Sequence, residues 1–377
     1  MKRIYYIFFL ATLLISCEKP ISEFQSENFI KYFGSGYESK GNDVIELSEG
    51  GYVITGYDKL NTSDIQIFAA KIDMNGNLIW SNTYGKNGFN EEGIIAKEVT
   101  DGFLITGTSS PGSSGTIRSF IMKTNVYGDS LWYKEFGDTT YNIVVNDILI
   151  SSNSIYVAGH STKSDIARTD YYSAKLSLSG ELYWERKINF EASNSTFKKV
   201  FLQGDNLLLI GTDGIENRIS IVTSLQNNGI PIDFKNTETV NESAADASLF
   251  EDKLYILANN AQSSTKLSKL NSSNDEEWHT ELISSIAGKS IAYHDDGTLM
   301  VCGESVEEGN PAISFIKVDS NGNTDYGPQS FRTFQGTIGR VIQTKDKGLI
   351  IVGTTNATFG ANIQLIKTDK DLFLLKP

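Results

Sequence analysis

The chain is poor in the residues that most enzyme chemistry needs. Its 377 residues include three histidines, two cysteines, four methionines and six prolines. His160, His279 and His294 are too scattered to give a metal a close-spaced pair, and they read as surface or loop residues. Cys302, between Val301 and Gly303, has no internal disulfide partner and reads as a small apolar core residue. A reactive thiol would want a basic neighbour, and Glu304 is the nearest charge. There is no G-x-S-x-G elbow, Walker loop or H-E-x-x-H helix. The acidic runs at Glu91-Glu92, Asp275 to Glu277, Asp295-Asp296 and Glu307-Glu308 match no EF-hand spacing and read as solvated turns. Asp73 to Asn77 (DMNGN) has a calcium-like look, but Asn and Gly are what a tight turn requires. Positive charge is also short: the net charge of −13 argues against nucleic acid and anionic lipid as partners. No catalytic residue, cofactor or metal site is expected, and the chain is not expected to be an enzyme.

What the chain does have is a repeat. Trp80, Trp132, Trp184 and Trp278, all of its tryptophans, each lie nine residues after a lysine: Lys71, Lys123, Lys175 and Lys269. A second landmark is a short apolar run ending at Gly56, Gly107, Gly159, Gly211, Ala258, Gly303 and Gly353, with intervals of 45 to 52 residues. A period near fifty marks an array of one supersecondary unit. Pairs such as Gly50-Gly51, Asp101-Gly102 and Asp296-Gly297 precede the runs and supply hairpin turns. The runs themselves have strand length and composition.

One unit therefore reads as four strands. The first covers Val44 to Leu47 or Ile94 to Val99, and the second is the run ending in Gly. A variable polar loop leads to the third, such as Ile65 to Ile72, and a tight turn to the fourth, which carries the Trp and closes on Tyr84-Gly85 or Phe136-Gly137. No segment past the N-terminus has a helical period. The expected fold is all-β: a seven-bladed β-propeller of four-stranded antiparallel blades filling residues 28–377. Asn28 to Gly34 repeats the spacing of a fourth strand, with Phe29 five residues before Gly34, and is expected to close the ring beside Asn362 to Lys367. The C-terminal LFLL is the alternative occupant of that place.

The recurrent Trp has two readings. It packs neighbouring blades together, or it forms an aromatic ring for stacking sugars or a planar cofactor. A residue repeated once per blade at one register favours packing, so each Trp is expected to be largely buried.

Residues 1–16 pair Lys2 and Arg3 with an apolar stretch from Ile4 to Ile15, too short for a comfortable membrane span, and read as a secretory signal. Leu14-Ile15-Ser16-Cys17 resembles the bacterial lipobox, which implies lipid attachment at Cys17 and a tether over 17–27. Glu18 resembles outer-membrane rather than inner-membrane lipoproteins. The side of the membrane on which the protein lies stays open.

The segments KIDMNGNLIWSNTYG, EVTDGFLITG and KTNVYGDSLWYKEFG resemble the secreted β-propeller repeat of Bacteroidota, K-x-D-x-x-G-x-x-x-W-x-x-x-[YF]-G followed by D-G-G-[YF]-[IL]-[VI]-x-G. That resemblance implies a propeller on a secreted or surface lipoprotein and supplies no catalytic residues. AKIDMNGNLIW is more distantly similar to the tryptophan-docking motif of quinoprotein propellers, with Asp73 to Gly76 one residue short. Those propellers include quinone-dependent dehydrogenases and an outer-membrane assembly scaffold. The expected function is a non-catalytic outer-membrane lipoprotein whose propeller binds or scaffolds a protein partner. The alternatives are a surface glycan-binding or nutrient-uptake accessory protein and, behind it, a quinoprotein-like enzyme.

Overall fold

The computed structural model describes residues 28–35, 37–59, 65–112, 115–163, 168–189, 194–260, 264–282, 286–293, 297–307, 310–324, 329–331, 336–357, 360–372 and 374. The signal, Cys17, the tether, His294, Asp295, Asp296, Glu308 and the loop around Tyr326 lie outside them. All regular structure in the described residues is β. The chain opens with β1 (Phe29–Phe33), β2 (Glu38–Glu46), β3 (Tyr52–Lys59), β4 (Ile65–Ile72) and β5 (Leu78–Tyr84). Five blades then stand as separate four-stranded antiparallel sheets. The first holds β6 (Phe89–Val99), β7 (Gly102–Pro111), β8 (Arg118–Thr124) and β9 (Ser130–Phe136). The second holds β10 (Tyr141–Ser151), β11 (Ser154–Lys163), β12 (Arg168–Ser177) and β13 (Leu182–Ile188). The third holds β14 (Thr196–Gln203), β15 (Asn206–Asp213), β16 (Arg218–Leu225) and β17 (Pro231–Asn236). The fourth holds β18 (Glu242–Phe250), β19 (Lys253–Asn260), β20 (Thr265–Leu270) and β21 (Glu276–Leu282). The fifth holds β22 (Ile286–Tyr293), β23 (Leu299–Glu307), β24 (Asn310–Val318) and β25 (Gln329–Phe331). The chain ends with β26 (Gly336–Gln343), β27 (Leu349–Ala357) and β28 (Gly360–Lys367).

The expectation of seven separate four-stranded blades closed by an N-terminal strand is overturned. Strands from both ends of the chain merge into one eight-stranded sheet, ordered β26-β27-β28-β2-β3-β4-β5. The path from the end of the chain to its beginning runs through β28 and β2, at a parallel bridge between Glu38 and Ala361. β1 is a branch off that path, antiparallel to β28 with Phe29 opposite Lys367 and Phe33 opposite Ile363. The reason is length. β28 has eight residues and β1 five, so the uncovered start of that edge is taken by β2.

The first strand of every unit carries one extra residue. The register slips between Gly41 and Asp43, Gly93 and Ile95, Val145 and Asp147, Phe197 and Lys199, Ala244 and Asp246, Gly288 and Ser290, and Ile338 and Arg340. Such bulges bend a strand and re-aim its side chains. They also explain the recurrent glycine. Gly56, Gly107, Gly159 and Gly211 lie opposite the residue just before the bulge, where a Cβ would stand 1.7 to 2.2 Å from a carbonyl oxygen of the first strand. At these four positions an added side chain would run into backbone, whereas the unit with Ala258 opposite Ala244 accommodates a methyl group there.

The cores lie between adjacent sheets. Ile95, Leu104 and Ile121 of one blade pack on Ile143, Val157 and Tyr172 of the next, all nearly inaccessible. Phe29, Val44 and Phe68 meet Val352 and Ile363 within the sheet shared by the chain ends. Alternating side chains of the middle strands feed both cores, which is why those strands are buried along most of their length.

Candidate functional site: the central channel

The bulged first strands face one another around a central channel. Each contacts the next, β2 to β6, β10, β14, β18, β22 and β26, and β26 returns to β2. A cavity of about 410 Å³ opens there, lined by bulge residues. Five basic side chains, Lys40, Lys198, Lys199, Lys289 and Arg340, and two acidic ones, Asp43 and Asp246, face it.

The residue after each bulge is Asp43, Ile95, Asp147, Lys199, Asp246, Ser290 or Arg340. The three aspartates are buried and do the same local job. Asp43 Oδ2 accepts the backbone N–H of Ala96 at 2.9 Å, and Asp147 Oδ2 accepts that of Val200 at 3.2 Å. Asp246 Oδ2 accepts the N–H of Ile291 at 2.8 Å and the Ser290 hydroxyl at 3.1 Å. Each carboxylate thus ties one first strand to the next and satisfies a backbone N–H on an innermost strand.

The second oxygens turn to the cations. Lys199 Nζ lies 2.9 Å from Asp246 Oδ1, and Arg340 Nε lies 3.4 Å from Asp43 Oδ1. Burial works against the charge on Arg340, but Asp43, Asp246 and Asp147 outweigh it and hold its pKa above the ordinary value. Burial would raise the pKa of Asp246, and Lys199 and Arg340 reverse this and lower it. Lys97, behind this ring, is pushed down by burial; Asp147 and Asp43 oppose the shift.

Above this level sit the bulged residues themselves: Asn42, Ile94, Asn146, Lys198, Ala245, Lys289 and Gly339. Glu92 Oε1 accepts from both Lys40 Nζ at 2.8 Å and Asn42 Nδ2 at 2.7 Å. Asn146 Nδ2 donates to Thr196 Oγ1 at 3.0 Å, and Thr196 meets His160 Nδ1 at 3.2 Å. Burial, with some help from Lys198, lowers the His160 pKa from 6.5 to about 4, so the ring is neutral at pH 7. A second cavity, of about 480 Å³, lies at the far ends of the first strands among Ser48, Glu98, Thr100, Ser152 and Leu178.

None of the channel charges stood out in the sequence. The signal was present in one register: N-D-V-I at 42–45, N-D-I-L at 146–149 and A-D-A-S at 245–248 open otherwise apolar first strands. The residues that did stand out lie elsewhere. Trp80, Trp132, Trp184 and Trp278 are on the outermost strands, each opposite its lysine across the hairpin. Each indole rests on the turn glycine of the following unit, Gly128, Gly180, Gly229 or Gly322, where an added Cβ would come within 3.0 Å of the ring. Trp80 Nε1 donates to the Val126 carbonyl at 3.1 Å and Trp278 Nε1 to the Ser320 carbonyl at 3.2 Å. Phe29 of β1 meets Gly76 in the same manner. Only Trp184 is buried, at 9% exposure, and the other three are half-buried, because an outermost strand leaves one side to water.

The remaining singled-out residues are also placed. His279 is exposed and pairs with Glu276 at 2.6 Å, far in sequence from His160 and in another sheet. Cys302 is fully buried, and burial pushes its thiol pKa well up. Glu91-Glu92 is not a solvated turn: both lie in β6, and fully buried Glu91 accepts from Tyr133 Oη at 2.7 Å and Lys86 N at 2.6 Å. Asp275, Glu276 and Glu277 are exposed. Asp73 Oδ1 accepts the N–H groups of Asn75 and Asn77 at 2.9 and 2.8 Å, and Asp319 repeats the pattern with Asn321 and Asn323.

No family model matches the sequence, and no curated protein matches it. Among solved structures the chain is similar to the WD40 β-propeller domain of Doa1, at 11% identity and TM-score 0.58, over 92% of this chain and 99% of that one. It also aligns with a protein of unknown function from Bacteroides caccae, at 12% identity and TM-score 0.45, over 71% and 90% of the two chains. BamB from Moraxella catarrhalis aligns at 11% identity and TM-score 0.49, over 89% and 97%. The likeness to the Doa1 domain is one of fold: this chain is an all-β propeller built on four-stranded blades.

Proposed function

We propose that the protein is a non-catalytic lipoprotein, exported and held to the outer membrane through Cys17, whose propeller binds or scaffolds a protein partner. The observation that carries the non-catalytic reading is how the channel carboxylates are used. Asp43, Asp147 and Asp246 hold backbone N–H groups of the next strand, and Asp43 and Asp246 also face Arg340 and Lys199. Groups fixed in that way serve as struts, not as proton carriers. The anchoring reading rests on Leu14-Ile15-Ser16-Cys17 after a short apolar stretch.

Two measurements test the parts separately. Cells fed an alkyne fatty acid should label the wild-type protein and not Cys17→Ala, and only the wild type should float with outer membranes. A Cys17→Ala protein that keeps label and flotation overturns the anchor. In-cell crosslinking should trap one recurrent protein partner on the propeller. Turnover by the purified protein on glycan, ester or alcohol-plus-quinone panels overturns the non-catalytic reading.

A further inference from the structure

The channel is a basic pocket in an acidic protein. Five cations and two carboxylates line the cavity, although the chain as a whole carries −13. Glu92 and Glu304 behind the lining pair with Lys40 and Lys289, which leaves Lys198 uncompensated among the described residues. The excess is concentrated at two bulges. Lys198 and Lys289 are bulged residues of β14 and β22. The bulged residues beside them, Ala245 of β18 and Gly339 of β26, are small and leave space between and beside the two ammonium groups. Lys289 is held loosely, 3.4 Å from Glu304 Oε2, while Glu304 Oε1 accepts the N–H of Ile338 at 2.8 Å. Lys199 is committed to Asp246. Lys198 has no carboxylate within ion-pair distance among the described residues. Burial lowers its pKa, Lys199 and Lys289 push the same way, and Asp246 opposes them. A half-buried ammonium facing two others is a place where an anion is stabilised.

We propose that the channel binds a small oxyanion, a phosphate or carboxylate group, held between Lys198 and Lys289. Asn146 lines the same cavity, but its Nδ2 is spent on Thr196 Oγ1 and the Phe197 carbonyl, so the two ammonium groups carry the binding. The proposal is independent of the membrane anchor and of any protein partner.

The test uses the detergent-solubilised full chain. Calorimetric titrations at constant ionic strength compare inorganic phosphate, sulfate and citrate, with chloride as the background. Saturable binding of at least one oxyanion is expected, and preference for citrate over phosphate identifies an organic acid as the better fit. Lys198→Met and Lys289→Met should each weaken binding by about tenfold or more, while exposed Lys370→Met leaves it unchanged. Amine labelling of the wild-type protein gives a readout free of folding effects: the bound anion should protect Lys198 and Lys289 and not Lys370. Absence of saturable binding for all three anions, equal losses in all three variants, or labelling unaffected by anion overturns the proposal.

Discussion

On the outermost strands one residue type returns at one position: tryptophan at 80, 132, 184 and 278, with Phe29 in the equivalent contact on Gly76. On the innermost strands the position returns but the residue changes, running Asp43, Ile95, Asp147, Lys199, Asp246, Ser290 and Arg340 after each bulge. The difference separates scaffold from site. A contact repeated between one unit and the next is met by tryptophan in four units and by Phe29 in another. A site around an axis is built once, from a set of unlike side chains supplied by all the units.

Four changes sharpen or break this contrast. The largest effect is expected where the two landmarks meet. Gly107→Val would place a Cβ 1.8 Å from the Glu92 carbonyl oxygen, opposite the bulge. We expect a loss of about 3 kcal/mol or more, read as a drop in denaturation midpoint. A change under about 1 kcal/mol would mean that the bulge is soft and the glycine incidental.

Next is Arg340→Met, which leaves Asp43 without its cation and weakens the field on Asp246 and Asp147. The guanidinium side chain is 29% exposed to the channel, so water offsets part of the loss, and about 2 kcal/mol is expected. Asp43→Asn in the same protein should restore some of it, because the unpaired charge is then gone. A double variant no better than the single would show that the hydrogen bond to Ala96, not the charge, is what Asp43 supplies.

Third is Trp80→Ala. A fully buried Trp would cost about 3–5 kcal/mol, and a half-buried one on Gly128 should cost about 2. Trp278 has the same glycine contact and indole hydrogen bond despite its weaker repeat and should cost as much. Oxyanion binding in the channel should survive both substitutions at low temperature, and its loss would break the separation of scaffold from site.

The smallest effect is a pH effect. The His160 pKa lies at about 4, below its ordinary 6.5, so the folded state disfavours protonation. Its contribution to stability is complete above pH 6.5 and is lost as the pH falls through about 4. His160→Gln should flatten that part of the acid limb in a melt series and leave the midpoint at pH 7.5 within a degree or so of wild type, or about 0.5 kcal/mol. An unchanged acid limb would assign it to the channel carboxylates instead.

Much of the blade was legible in the sequence, and for a physical reason. Turns demand Gly, Asn and Asp, and middle strands demand apolar runs, so Ile65 to Ile72 matched a strand to the residue. The first strands were read short. They were expected over Val44 to Leu47 and Ile94 to Val99, whereas β2 begins at Glu38 and β6 at Phe89. The bulge shifts the two-residue alternation by one, so the half before Asn42 or Ile94 stops looking like a strand. The same shift hid the site, because the channel residues are those on which the alternation breaks. The count of separate blades failed for another reason. A single bridge, Glu38 to Ala361, joins sheets that local pattern treats as distinct; the Phe29-to-Gly34 spacing marks β1 as a partner of β28 but holds no sign of that bridge.

That shared sheet has a kinetic consequence. Phe29 pairs across the sheet with Lys367, and the outer edge of β2 meets β28 at Glu38 and Ala361. During synthesis β1 and the outer edge of β2 therefore wait until nearly the whole chain has emerged, and closing so long a loop is slow relative to forming any hairpin. Until then the early blades present an unsatisfied edge, which is a hazard for aggregation. Once β28 docks, freeing residues 29–33 requires breaking their pairing with residues 363–367, so two segments far apart in sequence open together.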